Sequence, residues 1–456
     1  MTTAPTPRSR ARSLGGLALL LVALPVVGFV LVLLADAIPD RSITRHLGTE
    51  ILNERLTTED YGTALSGHQI DRFTDCIGIT IGLGSPPGTN TIESAISSPT
   101  LGKCSEAVPR LQSYLDGEGL EQSYPYYRYW HGYSVVLRPL LAAVGLQGTR
   151  VVMLIALAAV LLGLARSLAR HHGRSVPVVL LAPFVLTTDF IELPGSLPHA
   201  TGALAILGTS WLAHAVIARS PTWQRVAAVS IVSGATVVYA DILTIPGGGW
   251  ALCTAVIGIG ASLVLTRLAL AMQMVVAAAA WILGYTWMWV SKWILASFVF
   301  GVDSVIDVIR FTTENRISGD NGSIDDGIFA TIRLNVEVWW RQPLAGALVA
   351  ALLVTFMVVW RRRHRWCPPT ERWVDRLILA SPGVVPLVWY EILKNHSQVH
   401  VWFTYRSVSI VIGIVAAAWV IGLRPIGDDA APSDVTGDAQ SDRRPVASRP
   451  PSGSAD

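Results

Sequence analysis

Charge is scarce in this 456-residue chain: 15% of residues are Asp, Glu, Lys or Arg, against 51% apolar. That balance excludes an ordinary soluble domain of this length. Net charge is only +3, so nothing points to a nucleic-acid partner. Cysteine is also scarce, with four in all. No Cys/His spacing of the metal-site kind occurs, so neither a metal nor another cofactor is indicated. No internal repeat is detectable. The first apolar run follows Arg8, Arg10 and Arg12 and lacks a small-residue cleavage site. It reads as a retained signal anchor rather than a cleaved signal peptide.

What the chain does have is apolar runs long enough to cross about 30 Å of hydrocarbon. They lie near 14–35, 149–169, 175–190, 198–218, 226–243, 248–266, 269–290, 343–360, 374–390 and 405–423. Lys/Arg bias in short loops sets orientation. With the N-terminus inside, the inner loops hold Arg166, Arg170 and Arg174, then Arg219 and Arg225, Arg267, and Arg361 to Arg376. The short outer loops 191–197 and 244–247 hold no Lys or Arg. The expectation is an all-α polytopic protein of a bacterial plasma membrane, with about ten transmembrane helices and both termini cytoplasmic. Residues 134–146 are apolar but short and carry Arg138-Pro139, so they read as an interfacial or re-entrant helix.

Four parts follow. Residues 1–13 are a basic cytoplasmic tail and 14–424 a membrane domain. The domain carries a large first outer loop, 36–148, and a second, 301–341. Residues 425–456 are rich in Asp, Ser, Pro and Ala and are expected to be disordered. Gly319 to Gly327 reads as a flexible loop. Cys76 and Cys104 share the oxidising-side loop, where a disulfide survives. Cys253 lies in a span and Cys367 inside, so neither is expected to pair.

Four constellations could carry chemistry. Asp71-Arg72-Phe73-Thr74-Asp75 places two carboxylates on one helix face, where one pKa rises and suits a general base. The plainer alternative is a helix start capped by Asp. The stretch Tyr124 to Tyr133 includes Arg128, Trp130 and His131 and precedes Arg138. It suits stacking on a sugar and binding of a phosphate, or simply an aromatic belt. The segment Glu391 to Arg406 holds His396 and His400 four residues apart, without an acidic third metal ligand at standard spacing. Arg406 at a span edge needs a partner or a wet cavity. Lastly, Asp189, Glu192, His199, Tyr239, Asp241, Thr244 and Lys292 sit at the outer ends of spans. Each alone could be a helix end reaching water, but together they would surround one vestibule.

Several stretches resemble an uncharacterised family of bacterial multi-pass membrane proteins. They are Asp71 to Asp75, Tyr127 to Tyr133 with Leu137-Arg138-Pro139, Tyr239 to Thr244, Gly284-Tyr285 with Lys292-Trp293, and Lys394 to Arg406. The layout is also similar to the GT-C superfamily of glycosyltransferases, which use polyprenyl-phosphate-linked sugars. That likeness implies an essential acid in the first outer loop. Such enzymes often place it directly after the first span, where this chain has Asp36 and Asp40, so the base lies among Asp36, Asp71 and Asp75. The expected function is transfer of a sugar from a polyprenyl-phosphate donor to an envelope glycan or glycolipid on the outer face, among membrane lipids. Water outside the cell holds no nucleotide sugars, which fits a lipid-linked donor. Arg128, Trp130, His131, Arg138, Asp241, Lys292, His396, His400 and Arg406 would bind the donor phosphate or the substrates. The rival readings are a transporter or flippase of envelope precursors, and a scaffold without chemistry.

Overall fold

A computed structural model of the chain describes residues 7–64, 69–85, 88–118, 123–317, 324–364 and 372–421. The tail from 425, Cys367 and most of the Gly319–Gly327 loop fall outside these residues.

The chain is helical almost throughout. The apolar helix α1 (Pro7–Asp36) leads into a small subdomain. It contains α2 (Asp40–Leu52), α3 (Arg72–Ile79), α4 (Thr91–Ser97) and α5 (Cys104–Leu115), with two short antiparallel strand pairs. The bundle follows: α6 (Ser134–His172), α7 (Ser175–Thr187), α8 (Leu197–Ile217), α9 (Trp223–Ala240), α10 (Pro246–Ala261) and α11 (Arg267–Phe300). A second insertion carries α12 (Val302–Ile317) and α13 (Ala330–Trp340). The chain then returns through α14 (Ala345–His364), α15 (Arg372–Ala380), α16 (Val384–Ile392), α17 (Lys394–Val399), α18 (Val401–Thr404) and α19 (Arg406–Val420).

Among the described residues, five helices are long and apolar enough to cross a membrane: Leu14–Asp36, Ser134–His172, Leu197–Ile217, Arg267–Phe300 and Val401–Val420. A sixth span results if α13 and α14, bent by 95°, count as one. The ten expected crossings are therefore not all met by helices of spanning length. α7 and α10 have 13 and 16 residues, short of the ~20 a span needs. The run 374–390 is interrupted by a 3-10 turn at Ser381–Gly383 between α15 and α16. Hydropathy averages across such breaks and does not see them.

Residues 134–144 form a short helix, and a break at Gly145, non-helical at φ +68 and ψ −174, separates it from the apolar run that follows within α6. His46 Nδ1 lies 3.1 Å from where a Cβ on Gly145 would be. Glycine is the residue that tolerates this backbone. Arg138, within the short helix, is not a bare charge at depth. Its guanidinium donates to the carbonyls of Ala35, Ile38 and Ile81 at 2.8–2.9 Å, and to Asp40 Oδ1 at 2.8 Å. Of those carbonyls, Ala35 lies in the last turn of α1 and Ile38 just beyond it.

α9 and α11 approach backbone to backbone. A Cβ at Gly234 would sit 2.1 Å from the Trp281 carbonyl oxygen, and one at Gly284 would sit 2.2 Å from that of Ile231. Small residues at such crossings are how helices pack closely in lipid. The subdomain docks on the bundle through Asp75 in the first turn of α3. Its Oδ2 accepts from Arg150 of α6 at 2.7 Å, and its Oδ1 accepts from the Leu197 N–H at 2.8 Å, at the start of α8. The expected disulfide is present: Cys76 is bonded to Cys104, tying α3 to α5. Cys253 is free and buried.

Candidate functional site

Two helix starts, one helix end and a broken return segment converge on a buried polar cluster. Asp71 is the N-cap of α3. Its Oδ1 accepts from the Thr74 N–H at 2.8 Å and its Oδ2 from the Thr74 hydroxyl at 2.5 Å. This is the capping role, but in the interior: Asp71 is only 4% exposed. His199, in the first turn of α8, places Nε2 3.3 Å from Asp71 Oδ2. The contact has ion-pair distance without hydrogen-bond alignment, since Nε2 has no hydrogen-bond partner. The opposite nitrogen, His199 Nδ1, accepts from Arg406 Nη1 at 3.2 Å. Arginine can only donate, so the imidazole proton of neutral His199 sits on Nε2, facing Asp71. A carboxylate, an imidazole and a guanidinium thus form one chain across three elements.

Asp241 closes the cluster from the end of α9. Its Oδ2 accepts from the Thr244 N–H at 2.8 Å, whereas its buried Oδ1 has no partner and lies against Gly202, one turn after His199. Beyond it, Leu243 has φ +69 and offers its carbonyl to His396 Nε2 at 2.8 Å. His396 Nδ1 accepts from Arg316 at 2.6 Å, and Arg316 also donates to the Tyr129 hydroxyl at 3.2 Å. His400 stacks on Phe403, and the His199 ring meets Phe403 edge-on at 4.8 Å. Other buried atoms in these segments without a protein partner include His400 Nδ1, Arg406 Nε, Ser397 Oγ and Thr244 Oγ1. These are polar groups that a bound molecule or water can satisfy.

The electrostatics are divided. Burial alone would raise the Asp71 carboxyl, but His199 and the Thr74 donors outweigh it and hold Asp71 below the ordinary carboxylate range. Asp75 moves the other way, raised first by burial, with the Asp71 charge a small contributor. Burial, helped by the Arg316 charge, lowers His400 to about 4 and puts His396 well below the ordinary value. Both imidazoles are therefore neutral near pH 7.

The structure brings together Asp71, Asp241, His396, His400 and Arg406 of the residues expected from sequence. The others lie elsewhere. Asp75 is the clamp to α6 and α8 described above. Asp36 ends α1 beside Arg138 and Ser94. Lys292 donates to the carbonyls of Ala95 and Ile96 and to Ser98 Oγ, with Nζ 5.6 Å from the Trp130 ring centre. Trp130 donates to the Met288 carbonyl. His131, with φ +55, donates from Nε2 to the Tyr126 carbonyl and accepts from the Tyr133 hydroxyl at 2.8 Å. Arg128 stacks over Tyr126 at 4.6 Å and lines a cavity of about 200 Å3 between the Tyr124–Arg128 stretch and α12. Among the described residues, no group of three or more His, Cys, Asp or Glu side chains could hold a metal ion.

Two participants escape the sequence reading. Arg316 looks like one more charge in a polar insertion, and nothing local marks its contact with His396. Arg150 could have been found: it stands at the edge of an apolar run, the same signal that singles out Arg406.

No family model, curated relative or solved structure matches this chain.

Proposed function

We propose that this chain is an integral membrane glycosyltransferase. It moves a sugar from a polyprenyl-phosphate donor to a cell-envelope glycan or glycolipid on the outer face of a bacterial plasma membrane. The layout is GT-C-like, with ten crossings and cytoplasmic termini, the short and broken helices completing the count. The observation that carries the reading is the Asp71–His199–Arg406 chain beside the open Oδ1 of Asp241.

In the reaction the acceptor oxygen bonds to the anomeric carbon and loses its proton. The bond from that carbon to the phosphate oxygen breaks, and the phosphate leaves with the electron pair. Asp71, ionised in the cluster, takes the proton, its lowered pKa making it a weak base. His199 stands beside it, with Nε2 3.3 Å from Asp71 Oδ2. Arg406 and Arg316 face the charge that grows on the leaving phosphate. Asp241 Oδ1 accepts a hydrogen bond from a sugar hydroxyl. Neutral His396 and His400 can donate to or accept from a sugar or phosphate, whichever the bound group requires. Asp75, bonded to Arg150 of α6 and to the Leu197 N–H of α8, holds the subdomain in place.

A second reading, transport or flipping of an envelope precursor, draws on the broken helices α7, α10 and α15–α16, since transporters build sites from discontinuous helices. Membranes carrying the full chain, given a radiolabelled polyprenyl-phosphate sugar and an envelope acceptor fraction, separate the two. Asp71→Asn should lower transfer at least about a hundredfold per molecule of folded protein. Asp75→Asn should lower the amount of folded protein while leaving transfer per molecule within a few-fold. Wild-type rates from Asp71→Asn would remove Asp71 as base, and no transfer by the wild type would favour transport.

A further inference from the structure

The C-terminal ends of α6 and α8, far from the cluster at their starts, enclose a cleft of about 640 Å3. Arg166, Arg170 and His171 line it from α6, and Arg219 from just beyond α8. Arg166 and Arg170, four residues apart, share one helix face. Ser167 also lines the cleft, its hydroxyl paired at 2.8 Å with Nδ1 of the buried His214. No acidic residue lines the cleft. Among the described residues none of the three arginines has an ion-pair partner.

A topological bias alone asks only for arginines near helix ends, pointing anywhere into water. Here they converge on one concavity, where three like charges repel unless an anion joins them. The walls are apolar. Trp211 and Leu212 line the cleft and are exposed, and Leu162 beside Gly163 is 67% exposed. Gly163 leaves room for the Trp211 ring, which would stand 2.8 Å from a Cβ there. A basic rim over an exposed apolar wall matches a charged headgroup followed by acyl chains. We propose that this cleft binds the phosphate headgroup of an anionic membrane lipid. From His199 to Arg219 is 20 residues, roughly 30 Å of helix. The cleft is therefore separate from the Asp71 cluster and owes nothing to the function proposed for it.

The test uses the full chain reconstituted in nanodiscs of phosphatidylcholine containing a few per cent phosphatidylglycerol. Native mass spectrometry then reads the retained lipid. Wild type should keep phosphatidylglycerol over phosphatidylcholine by far more than their bulk ratio. The triple variant Arg166→Gln, Arg170→Gln, Arg219→Gln should lose about a hundredfold of that preference, roughly fivefold per arginine. Ala215→Phe, which fills the cleft without touching charge, should lower retention as well, and stays readable if the triple variant does not fold. Asp71→Asn should retain lipid like wild type. Undiminished phosphatidylglycerol on the triple variant, or equal retention of both lipids by wild type, overturns the proposal. So does displacement by inorganic phosphate that itself remains bound, which would make this a site for a free anion.

Discussion

Arg138, Lys292 and Arg406 are all cations at or near membrane depth, yet they do different work. Arg138 and Lys292 spend their donors mostly on backbone carbonyls. Arg406 keeps Nε free and spends Nη1 on a histidine. Sequence shows the cost of each charge but not whether it has been met, because the partners lie about 60 to 210 residues away. His131 has the same ambiguity. Burial, with the Lys292 charge adding to it, lowers its imidazole to about 3, and both nitrogens are bonded in the neutral form. An unfolded histidine takes up its proton near pH 6.5, so this group adds no pH dependence above that value. Between about 6.5 and about 3 the unfolded state binds the extra proton, and stability falls by about 1.4 kcal/mol per pH unit. His131→Gln should therefore flatten the acid side of a melting-temperature profile in detergent. An unchanged acid slope would contradict the neutral, doubly bonded histidine.

Elements were legible to the extent that their cause is local. The Cys76–Cys104 bond is legible because two cysteines share one loop. The Asp71 cap is legible from its spacing to Thr74. The separation of 134–144 from the following run is legible in its shortness and in Arg138-Pro139, whereas the acceptors that Arg138 finds are not, because they lie far along the chain. The disulfide closes a separation of 28 residues, and losing it should cost about 3.6 kcal/mol by the chain-entropy argument. Because α3 carries both Asp71 and Cys76, Cys76→Ser with Cys104→Ser should lower melting temperature and transfer activity together. Full activity alongside lowered stability would mean that Asp71 is positioned by Thr74 and His199 alone. An unchanged melting temperature would mean that the bond constrains little.

For the molecule as a whole, the apolar runs establish a helical membrane protein, while their number overstates the helices of spanning length. The difference lies in the breaks around Asp189, Pro246 and Pro382, two of which bring polar ends toward the buried cluster. Orientation rests on the arginines that follow α6 and α8. In a background lacking Cys367, a cysteine at Glu118 should react in whole cells with a membrane-impermeant maleimide, and one at Arg174 should not. The reverse pattern would turn the protein over and move the proposed chemistry to the cytoplasm.

The most direct test of the central claim is sugar and linkage analysis of the envelope from a deletion strain, complemented at equal protein levels with wild type, Asp71→Asn, Asp241→Asn or Asp36→Asn. The account predicts that one linkage is missing from the deletion strain. Wild type and Asp36→Asn should restore it, and Asp71→Asn and Asp241→Asn should not. An unchanged envelope in the deletion strain, or restoration by Asp71→Asn, would contradict it.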